Sequence, residues 1–94
     1  MNVGLATLRF RLYAVGSIKE KRSIVKRLLA DVQRRGAAFA ASEADDQDDL
    51  RRLTLCVVHL SNSPHFTESV LARLGAELER GDGYEMVESR IEIR

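Results

Sequence analysis

The stretch SIKEKRSIVKRLL, Ser17 to Leu29, decides how this chain is read. Ser17 and Glu20 stand three apart, just ahead of an apolar periodic run. That is a capping box: the hydroxyl accepts from the third helical amide and the carboxylate reaches back. Ile18, Val25, Leu28, Leu29 and Val32 then recur on one side at the helical period. Gly36 suits the position just past a helix end. Arg34 and Arg35 before it suit the negative pole of the helix dipole. A helix between Ser17 and Gly36 is predicted.

Working outward, Asn2 to Tyr13 reads as a strand. Ala6, Leu8, Phe10 and Leu12 form one alternating set; Val3, Leu5, Thr7, Arg9 and Arg11 form the other. After the helix, Ala37 to Ser42 is a weak strand and Glu43 to Asp49 an acidic loop. Leu53 to Leu60 is apolar on both faces apart from Thr54 and His59, as a central, doubly covered strand would be. Ser63-Pro64 starts a second helix, with Ser at the N-cap and Pro in the first turn. Its predicted buried stripe is Phe66, Val70, Leu74 and Leu78. Gly81-Asp82-Gly83 is a turn, and Tyr84 to Ile93 a last strand in which Val87, Ile91 and Ile93 alternate with charged residues.

The order strand, helix, strand, strand, helix, strand predicts an α+β fold. The expected form is a ferredoxin-like βαββαβ sandwich, a four-stranded antiparallel sheet with two helices on one face. Residues 1–94 form one domain, with Leu8, Phe10, Leu28, Val32, Val70, Leu74 and Ile91 in the core. Two helices cover only one face of such a sheet. Val3, Leu5 and the Leu53 to Leu60 strand therefore predict a homo-oligomer, most simply a dimer.

Apolar residues make up 45% of the chain and charged residues 31%, which excludes a wholly disordered polymer. Cys56 is the lone cysteine, so no internal disulfide or zinc-type cluster is available. It is expected as core filling. No apolar run reaches the length of a membrane span, and Met1 leads straight into the first strand. A cytoplasmic protein without a membrane partner is the expectation.

The net charge of +1 hides a strong segregation. Met1 to Gly36 holds nine Lys/Arg against two Asp/Glu, while Ala37 to Leu50 holds five acids and no base. Such asymmetry bears on partners rather than on fold. Arg9 and Arg11 share one strand face near the start of the first helix, where Lys19, Lys21, Arg22 and Lys26 follow. Together they form a candidate surface for nucleic-acid phosphate or another anion. The competing assignments are a solvated helix face and cross-strand ion pairs of Arg9 and Arg11 with Glu85 or Glu92. Lys21 falls inside the apolar stripe, so its ammonium must reach water, a ligand or a carboxylate such as Glu43 or Asp48.

The acidic loop, with Glu43, Asp46 and Asp48, lacks the glycine and spacing of a calcium loop. No metal and no cofactor are expected. His59, His65, Ser61 and Ser63 form no catalytic pattern, so no enzyme is expected either.

Gly4 to Leu12, then SIKEKRSIVKRLL, then Ser42-Glu43 with Gln47-Asp48 before Arg52, then Leu53 to Asn62, resemble the YlxP-like family of small bacterial proteins. That is a domain-of-unknown-function family. The resemblance implies a ferredoxin-like fold and a link to RNA or ribosomes. It implies no established activity. In the loop, Asp46 and Leu50 stand where the family often carries a histidine and an aromatic. The expected function is therefore an accessory protein that binds structured RNA or a ribosomal partner. The alternative is a self-associating interaction or regulatory module without nucleic-acid binding.

Overall fold

The computed structural model describes residues 1–94. The strands are β1 (Asn2–Leu12), β2 (Phe39–Glu43), β3 (Arg52–Ser61), β4 (Arg80–Gly81) and β5 (Tyr84–Ile93). The helices are α1 (Ile18–Gln33) and α2 (Pro64–Glu77). All strand pairs are antiparallel, in the order β2-β3-β1-β5-β4. The sheet thus has five strands rather than the four expected. The added β4 is a two-residue partner of β5 across the predicted turn at Gly81 to Gly83.

Local signals set both helix starts. Glu20 N donates to Ser17 Oγ at 3.1 Å. The Glu20 carboxylate accepts from Gly16 N at 2.8 Å, one residue further back than a capping box requires. Ser63 Oγ accepts from Phe66 N at 3.2 Å, and Pro64 occupies the first turn.

The alternation in β1 divides the sheet cleanly. Ala6, Leu8, Phe10 and Leu12 join Leu53, Leu55 and Val57 of β3 in one core with the buried faces of both helices. The other face carries Val3, Leu5, Thr7, Arg9 and Arg11 on β1. Across from them stand Leu60, Val58, Cys56, Thr54 and Arg52 on β3. Cys56 therefore lies on this second face, partly exposed, and not in the helix-side core.

Two burial expectations on α2 and one alternation expectation on β5 need correction. On α2 the buried residues are Thr67, Leu71, Leu74 and Gly75, with Leu78 buried just past its end; Val70 is half-buried, and Phe66 is 56% exposed. The stripe is rotated because Gly4 on β1 admits Thr67 and Leu71, which sit where a β-carbon on Gly4 would stand. Val87 is also exposed. The β1–β5 register shifts between Arg9 and Phe10, so a bulge moves Tyr84 and Met86 onto the helix side with Ile91 and turns Val87 outward.

Candidate nucleic-acid interface

The predicted basic residues separate into three groups. Lys19, Arg22 and Lys26 are exposed on α1. Arg9 and Arg11 stand on the opposite side of the sheet, on the face that no helix covers. Lys21 belongs to neither group.

Lys21 is buried, its side chain only 2% exposed. Its Nζ donates to the carbonyls of Asp46, Gln47 (3.2 Å) and Asp49 (2.8 Å). An ammonium has three N–H groups, and three carbonyls use them all. Glu43 Oε2 lies 3.4 Å away and accepts no hydrogen bond; it balances charge without sharing a proton. Lys21 is thus a peg that holds the acidic loop against α1, and it is removed from the predicted anion-binding set. The burial that makes its charge expensive also closes it to a ligand.

The loop is shaped by the same contacts. Asp46 takes a left-handed backbone, φ 63°, which Asp tolerates better than most residues. Asp49 Oδ1 accepts from Arg51 N at 2.8 Å, and Ala44 N donates to Thr54 O. No three His, Cys, Asp or Glu side chains converge as metal ligands.

The uncovered sheet face also holds Arg52, an arginine outside the predicted basic set, and Arg51 stands just ahead of it at the start of β3, opposite Leu12. Arg11 lies directly opposite Arg52. Leu12 N donates to Arg51 O, so Arg11 and Arg52 form the non-hydrogen-bonded pair, whose Cα atoms stand about 4.5 Å apart. Like charges placed so repel. None of Arg11, Arg51 and Arg52 enters an ion pair. Glu85, opposite Arg11 across β5, is engaged by Arg80 at 3.2 Å and by the Tyr13 hydroxyl at 3.4 Å. Arg9 is paired, with Glu88 rather than Glu85 or Glu92: its Nε lies 3.0 Å from Glu88, and it donates to Thr54 Oγ1 at 3.3 Å.

Two ionisable groups lie off their ordinary ranges. Burial, then the Asp31 carboxylate, raises the Tyr84 phenol. A hydrogen bond from Arg94 lowers the Glu92 carboxyl. Neither belongs to the arginine group.

The arrangement is that of a small α+β protein presenting unpaired guanidinium groups on an open sheet. Residues 3–91 match the family described as a protein of unknown function (DUF503), and the chain belongs to that family. It is 35% identical over 72 residues to the uncharacterised protein YlxP of Bacillus subtilis (strain 168), covering 77% of each chain. Among solved structures, the de novo designed protein Foldit4 shares the fold. Its TM-score is 0.57 at 12% identity, covering 100% of this chain and 97% of that one. SnoaB, a cofactor-independent oxygenase from Streptomyces nogalater, matches at a TM-score of 0.46 and 17% identity over 99% and 90% of the chains. No helix is long and apolar enough to cross a membrane.

Proposed function

We propose that this protein is a non-enzymatic accessory protein that binds the phosphate backbone of structured RNA through Arg11, Arg51 and Arg52, with Arg9 beside them. One observation carries the reading: Arg11 and Arg52 face each other across two strands with no carboxylate between them. A phosphate placed there turns a repulsive pair into two attractive ones, and guanidinium groups grip phosphate bidentately. The exposed Lys19, Arg22 and Lys26 on α1 add a second, weaker basic surface. The order β2-β3-β1-β5 supports reading the framework as a ferredoxin-like sandwich with β4 added at its edge.

The test is RNA binding across a salt series. Affinity should fall steeply with ionic strength. Arg11→Ala with Arg52→Ala should weaken binding at least tenfold and flatten the salt slope by about two units; Lys26→Met should flatten it by about one or less. Unchanged affinity and slope in the folded double variant would remove the sheet face from the reading.

A second reading, self-association, is favoured by the other half of the same face. Val3 is 38% exposed and Leu60 45% exposed, with Leu5, Cys56 and Val58 beside them and no helix above. On this reading light scattering at high micromolar concentration gives a dimer, and Leu60→Arg gives a monomer. A wild-type monomer under those conditions ends it.

A further inference from the structure

The arginines do more than decorate a flat surface: they line a cavity of about 460 Å3. Arg9, Arg11, Arg51 and Arg52 form its cationic wall, and Asp46 and the exposed Val87 of the bulge line it too. Thr54, a buried lining residue, accepts from Arg9.

We infer that this cavity binds a single phosphorylated nucleotide, its phosphate between Arg11, Arg51 and Arg52 and its hydroxyl or amino groups on Asp46. The inference rests on the reading that these arginines are anion donors, and it adds what they hold. Size is the first argument. The volume falls in the range of small-organic-ligand sites and leaves room far beyond that of an inorganic anion. Composition is the second. A pocket for bare phosphate gains nothing from a carboxylate, which repels it. Asp46 is the one carboxylate beside four arginines, so the fitting ligand carries an anion at one end and O–H or N–H donors at the other. Val87 offers apolar contact to a sugar or base edge. A nucleotide meets all three requirements.

Position also fits. The backbone of Asp46 is held in the loop whose carbonyls Lys21 grips, which places its carboxylate at the cavity. Arg9 is fixed by Glu88 and Thr54. The three groups with no tether, Arg11, Arg51 and Arg52, are those left to close on the phosphate.

The chemistry has two sources, a free nucleotide or the phosphorylated end of an RNA chain. The experiment titrates the full chain by calorimetry with adenosine and guanosine 5′-monophosphates, the matching nucleosides and inorganic phosphate. Short RNA with and without a 5′-phosphate is titrated beside them. The expected result is that a monophosphate binds at least tenfold more tightly than its nucleoside and than inorganic phosphate. Arg11→Ala and Arg52→Ala should each lower that affinity about tenfold, and Asp46→Ala should narrow the gap between nucleotide and phosphate. A 5′-phosphate that strengthens RNA binding, competed away by the mononucleotide, assigns the RNA end. Mononucleotide binding with no effect of the RNA 5′-phosphate assigns the free nucleotide. If RNA binding depends on Arg11 and Arg52 but the mononucleotide binds no better than phosphate, the pocket is overturned and the backbone reading stands. If neither ligand depends on these arginines while thermal melts show the variants folded, both fall.

Discussion

Lys21→Met should lower the unfolding free energy by about 3–5 kcal/mol and free the loop between β2 and β3. Methionine fits the apolar stripe of α1 and nearly matches lysine in length, so packing is preserved and polarity alone is tested. The loss has two parts. The carbonyls of Asp46, Gln47 and Asp49 lose their common donor. Glu43, whose side chain is 19% exposed, loses its counter-charge. Glu43→Gln should cost less than Lys21→Met, because Glu43 shares no hydrogen bond with the ammonium. Lys21→Met combined with Glu43→Gln should then be less damaged than the two single costs added, since no unpaired carboxylate is left behind. Urea denaturation measures the ranking, and hydrogen exchange at Ala44 and Asp49 measures the loop. A Lys21→Met variant within 1 kcal/mol of wild type, its loop amides still protected, would show that the peg is dispensable.

Two glycines should respond in opposite directions to the same added methyl group. Gly4 lies on β1 where α2 crosses closest: an added β-carbon would overlap Thr67 Cγ2 and stand 2.7 Å from Leu71 Cδ1. Both neighbours are fully buried. Nothing there can swing aside into solvent, so α2 must lift. Gly4→Ala should cost about 1–3 kcal/mol, and Gly4→Val more. The lift should also disturb the His59 Nδ1–Thr67 Oγ1 contact at 3.1 Å, because His59 stands opposite Gly4 in the register. Gly75 lies within α2, and its added carbon would meet Ser89 Oγ at 3.5 Å and Leu8 Cδ2 at 3.9 Å, ordinary contacts. Gly75→Ala should be neutral or should stabilise by up to about 1 kcal/mol through helix propensity. Thermal melts of the two alanine variants decide it. If both shift the midpoint the same way and by the same amount, close approach at Gly4 is not what places α2.

The candidate site was only half legible in advance, and the reason lies in particular residues. Arg9 and Arg11 were visible as basic members of one strand face. Arg51 and Arg52 look, in one dimension, like a charged boundary after an acidic loop. What makes them a site is that Arg52 falls opposite Arg11 while Glu85 turns to Arg80 and Tyr13. A pairing register is a long-range fact, and a slip of one residue would send Arg52 to the helix side. Lys21 shows the converse. Its misfit within the apolar stripe is plain in the sequence, as is its need for water, a ligand or a carboxylate such as Glu43. That backbone carbonyls would take every N–H could not be read, because carbonyl direction follows from loop conformation and not from residue type.

By itself the sequence determined the elements: both helix starts, the strand alternation, the order βαββαβ and the turn before β5. These rest on interactions spanning a few residues, such as Ser17 with Glu20 and Ser63 with Phe66, which any chain with that local pattern makes. Only the tertiary structure decided how α2 is rotated, where β5 bulges, which arginines meet and what Lys21 holds. Each depends on two segments distant in the chain arriving at one point: Gly4 under Thr67, Arg9 beside Glu88, Arg11 against Arg52, Lys21 beneath Asp49. At those points steric fit and hydrogen-bond direction, acting over a few ångströms, outweigh the periodic preferences of either segment alone.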